Sequence, residues 1–198
     1  MRAAGDRAAV IASQLAHGRA VPRVGTMGRL FDAVASLAGV RQVNLHEAEA
    51  AMDLESLART PMPCVATGVG YRFGVDGIAD APDAGLVVTW RDLVRAVAAD
   101  VLAGVQAAVI AGRFHAAVAR MVGDVCVRIR ASCGGRVVGL TGGCFQNAAL
   151  TEAVVAVLRQ EGFAPAIHHR VPPNDGGLAL GQAVLARGRL MAAAPRET

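Results

Sequence analysis

The stretch Thr141-Gly-Gly-Cys-Phe-Gln-Asn147 stands between an apolar run, residues 136–140, and a helical pattern over residues 148–161. This order predicts a strand, a glycine-rich turn and a helix. At Gly142 and Gly143 the missing Cβ permits φ > 0 and lets an oxygen-rich ligand reach the backbone, whose N–H groups we expect to be unpaired. The first turn of the following helix favours anions such as phosphate. The stretch is therefore either an ordinary turn or a phosphate-binding loop.

A second glycine pair, Gly176-Gly177, follows a predicted strand over residues 163–167 and precedes a helix predicted over residues 178–190. Two strands joined by a crossover helix imply parallel pairing with a right-handed connection. Ligand loops in such a sheet gather at the carboxyl ends of the strands, so both glycine turns are expected at one edge. Asp175 would then face the first turn and hold a cation against phosphate oxygens. The alternative is that Asp175 caps the final helix.

Helical patterns fill the first third of the chain. Apolar residues three and four apart predict helices over residues 7–17, 29–38 and 46–59. Asp32 lies on the polar side of the second helix. It is interpreted either as a solvated first-turn aspartate that complements the helix dipole or as a carboxylate that accepts hydrogen bonds from ribose hydroxyls.

The middle of the chain is less regular. Its pattern predicts strands over residues 69–75 and 86–90, then a helix over residues 92–103 and a longer one that ends near residue 129. His115 lies on the longer helix, where a ligand or a general base is one interpretation. Because no carboxylate, Cys or second His stands at helical spacing from it, a hydrogen-bonded core histidine is favoured.

Composition excludes several classes of protein. The 198 residues are 54% hydrophobic, which is enough for one large domain or two small lobes. No run of eighteen apolar residues occurs, so no membrane span is expected, and the first residues lack a signal-peptide pattern. We therefore expect a cytoplasmic location. All twenty basic residues are scattered arginines and only seven residues are aromatic, so no nucleic-acid partner is expected.

The four cysteines show no metal-binding or disulfide pattern. They form no CxxC pair and have no nearby His. We expect all of them to be small, buried, apolar side chains. They are Cys64, Cys126, Cys133 and Cys144.

The motifs together resemble the C-terminal part of the HypF carbamoyltransferases of nickel–iron hydrogenase maturation. Five stretches carry the resemblance in the family's order and spacing, and together they span nearly the whole chain. They are MGRLFDAVASLAGV from Met27, HEAEAAMDLE from His46, RFH from Arg113, TGGCFQN from Thr141 and VPPNDGGLALGQA from Val171. The combination of the last two is specific to this family.

The resemblance implies an α/β fold of the actin-like ATPase class, in which this chain is the second lobe, with a parallel-containing sheet and flanking helices. It also implies nucleotide-binding roles for five residues: Gly142, Gly143, Asn147, Asp32 and Glu47. The two glycines would meet the phosphates, and Asn147 would also contact the ligand. Asp32 would lie near the nucleoside, and Glu47 would reach the ribose. Asp175 would be a metal ligand. No catalytic residue is assigned.

The activity that the resemblance implies is transfer of a carbamoyl group from carbamoyl-adenylate to the C-terminal Cys thiol of HypE. ATP and a divalent metal (Fe, Zn or Mg) are the implied cofactors. The implied partners are HypE and an N-terminal HypF half supplied in trans. The related enzyme TsaD, which modifies tRNA, has the same core, but the FQN and VPPNDGG forms favour HypF.

The sequence also departs from the family. His46 and Ala48 stand where Tyr and Gly are common, Cys144 stands where Val is common, and no two His are four apart, although the family holds its metal with such a pair. We therefore expect a split or truncated HypF that shows little carbamoyl transfer alone. The alternative is a non-catalytic remnant that binds nucleotide or docks HypE.

The chain is expected to be one C-terminal HypF portion with three segments. Residues 1–62 would be helical and carry the nucleotide-side Asp. Residues 63–135 would hold irregular strands and long helices, and residues 136–198 would form a βαβα segment with both glycine turns.

Overall fold

The structure is a computed structural model that describes residues 8–18, 22, 24–59, 70–77 and 85–193. The chain divides into two compact units, Met1–Ala117 and Val118–Thr198.

The first unit is mainly helical. Its helices are α1 (Ala8–His17), α2 (Met27–Leu37), α3 (Glu49–Ala58), α4 (Arg91–Leu102) and the first part of α5 (Ala107–Cys133). Their apolar faces meet in a core because buried residues recur three or four positions apart along the helices. The largest of these buried side chains are Phe31, Val34, Leu54, Leu93, Val97, Ile110 and Phe114.

His115 lies in this core. It is 3% exposed, and its Nδ1 lies 2.8 Å from the Ala111 carbonyl oxygen one turn earlier on α5. Its ring packs edge-on against Phe31 and Phe114. Burial lowers the pKa of His115, because an imidazolium ion loses its hydration there. The interpretation as a core histidine is confirmed.

A two-stranded antiparallel hairpin completes the first unit. It pairs β1 (Gly74–Gly77) with β2 (Leu86–Thr89), and Gly74 lies opposite Thr89. A Cβ on Gly74 would lie 2.3 Å from Thr89 Oγ1, so a larger residue at this position would require the Thr89 side chain to shift. Residues 70–73 are not strand, so the prediction of a strand over 69–75 was wrong in its bounds, and residue 69 is outside the described ranges.

The second unit contains the predicted parallel pair. Strand β3 (Val137–Gly139), helix α6 (Ala148–Gln160) and strand β4 (Ala164–Ala166) follow the end of α5, and helix α7 (Leu178–Ala193) comes last. Val137 lies opposite Ala164 in a parallel ladder, which confirms the predicted pairing. The side chains buried in this unit include Leu140, Leu150, Val154, Leu158 and Phe163.

Close helix packing in the second unit depends on one glycine. A Cβ on Gly123 of α5 would lie 2.6 Å from Val157 Cγ1 of α6. The absence of a side chain at Gly123 therefore lets the two helices approach each other.

Several predicted bounds shift by a few residues. Helix α2 begins at Met27, two residues before the prediction, and α3 begins at Glu49, three residues after it. The late start of α3 follows from Ala48, whose φ of 60° is left-handed and cannot belong to a right-handed helix. Helix α6 begins at its predicted residue, Ala148, and ends at Gln160, one residue before the predicted end.

The cysteine prediction was only partly right. Cys126 and Cys144 are half-buried and Cys133 is exposed, whereas Cys64 lies outside the described residues. Cys133 is the last residue of α5 and precedes Gly134, whose φ is 73°. Burial raises the pKa of the Cys126 and Cys144 thiols. Among the described helices, none has the length and apolar character needed to cross a membrane.

Candidate functional site

The first glycine turn continues directly from β3. The chain passes buried Leu140, then Thr141 and Gly142, and forms a 3-10 helix over Gly143–Gln146 before α6. Gly142 has φ 99° and ψ 159°, a conformation open essentially to glycine alone. A Cβ on Gly143 would meet nothing within 4 Å. Gly142 is therefore required by the backbone, whereas Gly143 leaves open space above the turn.

The two glycine turns are in direct contact. Gly142 N–H donates to the Pro173 carbonyl oxygen at 2.6 Å, and Thr141 Oγ1 donates to the same oxygen at 3.2 Å. This confirms that both turns lie at one edge of the sheet.

The contact also corrects the expectation that the N–H groups of the first turn are unpaired. The Gly142 N–H is used by Pro173. The Gly143 and Cys144 N–H groups donate no hydrogen bond to any described residue. The N–H groups of the first turn that have no acceptor among the described residues therefore belong to Gly143 and Cys144.

Asn147 is the N-cap of α6. Its Oδ1 accepts a hydrogen bond from Leu150 N at 2.8 Å. This bond satisfies one of the free N–H groups at the start of the helix. The contact of Asn147 with a ligand stays a prediction, and its structural role as a cap is independent of any ligand.

Asn174 holds the second glycine turn. Its Oδ1 accepts from Gly176 N at 3.1 Å, and its carbonyl oxygen accepts from Gly177 N at 3.1 Å. A Cβ on Gly176 or Gly177 would come within 3.1 Å of the loop that begins at Pro172. Both glycines therefore allow a tightly folded turn.

Asp175 is exposed within this turn. Its carboxylate makes no hydrogen bond or ion pair with a described residue. The alternative interpretation, in which Asp175 caps the final helix, was therefore wrong, because the neighbouring Asn174 supplies the side-chain acceptor in the turn. The carboxylate is available to a ligand.

A shallow depression lies beside the first turn. Its volume is about 230 Å³, and it opens where β3 and β4 end. Its lining residues are Gly139, Leu140, Thr141, Ala166, Ile167 and His168. This is the position at which ligands bind in parallel sheets.

The implied metal is not accommodated by the described residues alone. No group of three or more His, Cys, Asp and Glu side chains comes together in the described ranges. A divalent cation in a protein is held by several ligands. Asp175 could supply only one, so further ligands would have to come from elsewhere.

Asp32 and Glu47 lie in the first unit. Asp32 is in the second turn of α2, and its side chain is 19% exposed. It forms an ion pair with Arg29 Nη1 at 3.0 Å and lies 3.5 Å from Asn44 Nδ2. The interpretation as a solvated first-turn aspartate was therefore wrong, because α2 begins earlier than predicted. Glu47 is exposed in the loop before α3.

The sequence predicted no role for Glu49. Its side chain is 12% exposed, and it pairs with Arg41 Nη1 at 2.9 Å and accepts from Leu45 N at 2.6 Å. A capping box joins residues three apart, whereas these partners are four and eight residues before Glu49. The capping-box spacing therefore does not identify the role of Glu49 from the sequence.

The sequence also gave no signal for a second, partly buried polar cluster. Asp100 of α4 accepts from Arg113 Nη1 at 2.6 Å and from the Tyr71 hydroxyl at 2.5 Å. Burial, and then the hydrogen bond to Asp100, raise the pKa of Tyr71. The hydrogen bond to Asp100 also raises the pKa of Arg113. The three residues come from separate segments, so no local pattern joins them.

The whole chain has recognisable relatives. Residues 1–182 match the family model described as "Carbamoyltransferase, Kae1-like Domain, second subdomain". The chain is 38% identical to carbamoyltransferase HypF of Rhizobium leguminosarum bv. viciae, over 86% of this chain and 20% of that protein. It is 35% identical to carbamoyltransferase HypF of Rhodobacter capsulatus, over 91% of this chain and 22% of that protein.

A solved structure shares the fold. It is the crystal structure of full-length HypF in the phosphate- and nucleotide-bound form, with a TM-score of 0.79 and 34% identity. The match covers 93% of this chain and 23% of that one. The chain thus spans about a fifth of the length of these relatives. The expected α/β fold is confirmed, and the chain belongs to the carbamoyltransferase HypF family, where it corresponds to the second subdomain of the Kae1-like domain.

Proposed function

We propose that this chain forms part of a site that transfers a carbamoyl group from carbamoyl-adenylate to the C-terminal Cys thiol of HypE during hydrogenase maturation. The observation that carries the proposal is the hydrogen bond from Gly142 N to Pro173 O, at 2.6 Å. It fixes a glycine turn and the exposed Asp175 at one sheet edge, in a chain of a carbamoyltransferase family.

The proposed step is an acyl transfer. The HypE Cys thiol loses its proton to solvent, and the resulting thiolate sulfur attacks the carbamoyl carbon. The bond between that carbon and the phosphate oxygen of AMP breaks, its electron pair leaves with AMP, and HypE carries the carbamoyl group as a thiocarbamate. Negative charge therefore has to be stabilised on the leaving phosphate.

The first glycine turn is suited to that phosphate. The Gly143 and Cys144 N–H groups lack acceptors among the described residues, and α6 begins a few residues after them without an acidic side chain in its first turn. Free N–H groups and the start of a helix both attract anions. In this proposal Gly142 shapes the turn, and Asn147 fixes the start of α6 and contacts the ligand.

Two carboxylates of the first unit are also proposed as nucleotide-binding residues. Asp32 and Glu47 would accept hydrogen bonds from the ribose hydroxyls of ATP or of carbamoyl-adenylate. Glu47 is exposed, and Asp32 keeps part of its carboxylate accessible. Asp175 would be one ligand of a divalent cation, Fe, Zn or Mg, which would neutralise phosphate charge.

The proposal is tested in a reconstituted enzyme. This chain is combined with an N-terminal HypF portion, carbamoyl phosphate, ATP, a divalent metal and HypE, and carbamoylation of HypE is measured by mass spectrometry. Asp175→Ala is expected to abolish the reaction without changing the fold. Full activity of the Asp175→Ala variant would refute the assigned role.

A second candidate is a non-catalytic subunit that binds nucleotide or docks HypE. The absence of a three-residue metal cluster in the described ranges favours it. The same reconstitution separates the two candidates. ATP binding in calorimetry, with no transfer even when the N-terminal portion is present, would support the second.

A further inference from the structure

Two hydrogen bonds connect the loop over residues 41–48 with the start of α3. Asn44 Oδ1 accepts from Ala50 N at 3.0 Å, and Glu49 Oε2 accepts from Leu45 N at 2.6 Å. The two bonds cross the start of α3 in opposite directions, so they act as a capping box does. The N-cap residue Ala48 has no polar side chain and cannot do this itself.

The carboxylate of Glu49 is committed to this loop. Besides Leu45 N, its contacts are Arg41 Nη1 at 2.9 Å and His46 Nε2 at 3.6 Å. The guanidinium of Arg41 is held in turn by Asp53, which accepts from Arg41 Nε at 2.5 Å. A buried carboxylate persists only when it is paired and hydrogen-bonded. Because these contacts return to the loop, Glu49 restrains the loop.

The same loop is tied to the helix that bears Asp32. Gln42 Nε2 donates to the Ser36 carbonyl oxygen at 2.8 Å, and the Ser36 hydroxyl donates to Gln42 Oε1 at 3.0 Å. Asn44 Nδ2 lies 3.5 Å from Asp32 Oδ1, a long and weak contact. The base of the loop therefore has a fixed relation to α2.

The tip of the loop is exposed but restrained. His46, Glu47 and Ala48 are all exposed, and Ala48 holds a left-handed φ of 60°. Such a conformation persists in a residue with a Cβ only when its surroundings enforce it. The Asn44 and Glu49 bonds on either side of the tip provide that constraint.

We propose that Asn44 and Glu49 are positioning residues, which hold Glu47 in a fixed place relative to Asp32 for recognition of the ribose hydroxyls. The inference rests on the proposed function, since it takes the nucleotide as the ligand of the two carboxylates. Asn44 and Glu49 act through the loop, and neither contacts the nucleotide. A preorganised acceptor binds more tightly because less ordering is needed on binding.

The test compares ATP with 2′,3′-dideoxy-ATP in calorimetric titrations of the full 198-residue chain with Mg²⁺. The wild-type chain is expected to bind ATP about tenfold more tightly, which is the scale of hydrogen bonds to a charged acceptor. In the variants Asn44→Ala and Glu49→Gln, the ratio of the affinity for ATP to that for 2′,3′-dideoxy-ATP is expected to fall towards one. The matched control is Asp53→Asn, which weakens an ion pair of Arg41 but leaves the Leu45–Glu49 and Ala50–Asn44 hydrogen bonds in place, so it should keep the ratio.

Hydrogen exchange gives a readout that needs no nucleotide. The Leu45 amide is expected to lose protection in Glu49→Gln, and the Ala50 amide in Asn44→Ala. The control variant should retain both. Unchanged protection of these amides in the two variants would overturn the inference.

The remaining outcomes separate the inference from the function on which it rests. If Glu47→Ala abolishes the preference for ATP while Asn44→Ala and Glu49→Gln keep it, the inference fails and the nucleotide site stands. If Asp53→Asn lowers the affinity ratio as much as Asn44→Ala and Glu49→Gln do, the loss of nucleotide preference reflects general destabilisation and the inference fails. A wild-type chain that binds both nucleotides equally refutes ribose recognition. A chain that binds neither refutes the nucleotide site itself.

Discussion

Gly142 and Pro173 are joined by a short hydrogen bond, from the glycine N–H to the proline carbonyl oxygen at 2.6 Å. Each residue lies in one of the two glycine turns that follow the parallel strands β3 and β4. The bond makes the two turns one local structure. It also removes the Gly142 N–H from the donors that can meet a ligand, so Gly142 and Gly143 have different roles.

The first prediction separates those roles. Gly142→Ala should lower the free energy of unfolding by about 1–3 kcal/mol, because the φ of 99° and ψ of 159° are accessible essentially to glycine alone. Gly143→Ala is the matched control and should have a small effect, since its Cβ would meet nothing within 4 Å. Urea unfolding monitored by circular dichroism measures both. Equal stability of the two variants would contradict the difference in roles.

The second prediction concerns Asp175. Asp175→Ala should change the free energy of unfolding by less than about 0.5 kcal/mol, because its carboxylate is exposed and bonds to no described residue. Carbamoyl transfer in the reconstituted enzyme should nevertheless be lost. Asn174→Ala is the converse control: it removes the acceptor for Gly176 N and should cost about 1 kcal/mol of stability. A strongly destabilised Asp175→Ala would point to a structural role instead.

The third prediction is that glycine at position 48 stabilises the folded chain. Ala48→Gly should raise the free energy of unfolding by about 0.5–1 kcal/mol. Relief of the left-handed φ of 60° contributes about 1–2 kcal/mol, and the greater freedom of glycine in the unfolded chain offsets part of it. Ala51→Gly, inside α3, should lower stability by about 1 kcal/mol. Thermal denaturation of both variants checks the opposite signs.

The fourth prediction is a pH dependence from His115. Burial lowers its pKa in the folded state below the value of about 6.5 in the unfolded chain. The unfolded state therefore binds the proton first as the pH falls. His115 should decrease stability as the pH drops below about 6.5, by at most about 1.4 kcal/mol per pH unit, until the pH passes its folded-state pKa.

Urea unfolding between pH 7.5 and 5 measures this slope. His115→Phe retains an aromatic ring beside Phe31 and Phe114 and should reduce the slope. His169→Gln, at an exposed position, serves as the control. An identical slope in wild type and His115→Phe would exclude His115 as its source.

The fifth prediction concerns the 198-residue chain by itself. With carbamoyl phosphate, ATP, a divalent metal and HypE, it should show little carbamoyl transfer. The physical reason is that the chain spans about a fifth of the length of its HypF relatives, whereas positioning the reactants in a cleft needs both of its walls. Multiple-turnover carbamoylation of HypE by the purified chain would show that this reasoning is wrong.

Much of the fold was predictable because its signals are local. The alternation of apolar runs, glycine turns and helical periods around Thr141 predicted β3, α6, β4 and their parallel pairing. The same reasoning brought both glycine turns to one edge. The starts of α2 and α3 were misplaced, and for α3 the reason is that a left-handed residue such as Ala48 has no signature in an alanine-rich sequence.

The candidate site was predictable only in part. The residues that match the family's motifs could be named from the sequence. No local pattern, however, indicates the hydrogen bond between the Gly142 N–H and the Pro173 carbonyl oxygen. No role was predicted for Glu49, although its side chain is 12% exposed and pairs with Arg41. The roles of Asp32, Glu47, Asn147 and Asp175 toward a ligand stay predictions.

The sequence by itself determined where strands, turns and helices form and which family the motifs indicate, because periodicity and glycine positions act over a few residues. Only the tertiary structure decided which polar groups are hydrogen-bonded within the chain and which remain exposed to solvent. The Gly142 N–H, the Asn147 side-chain oxygen and the Glu49 carboxylate are each bonded within the chain, whereas the Asp175 carboxylate bonds to no described residue. The physical reason is that a hydrogen bond depends on which groups folding brings within about 3 Å, and for Gly142 and Pro173 those groups lie in separate turns.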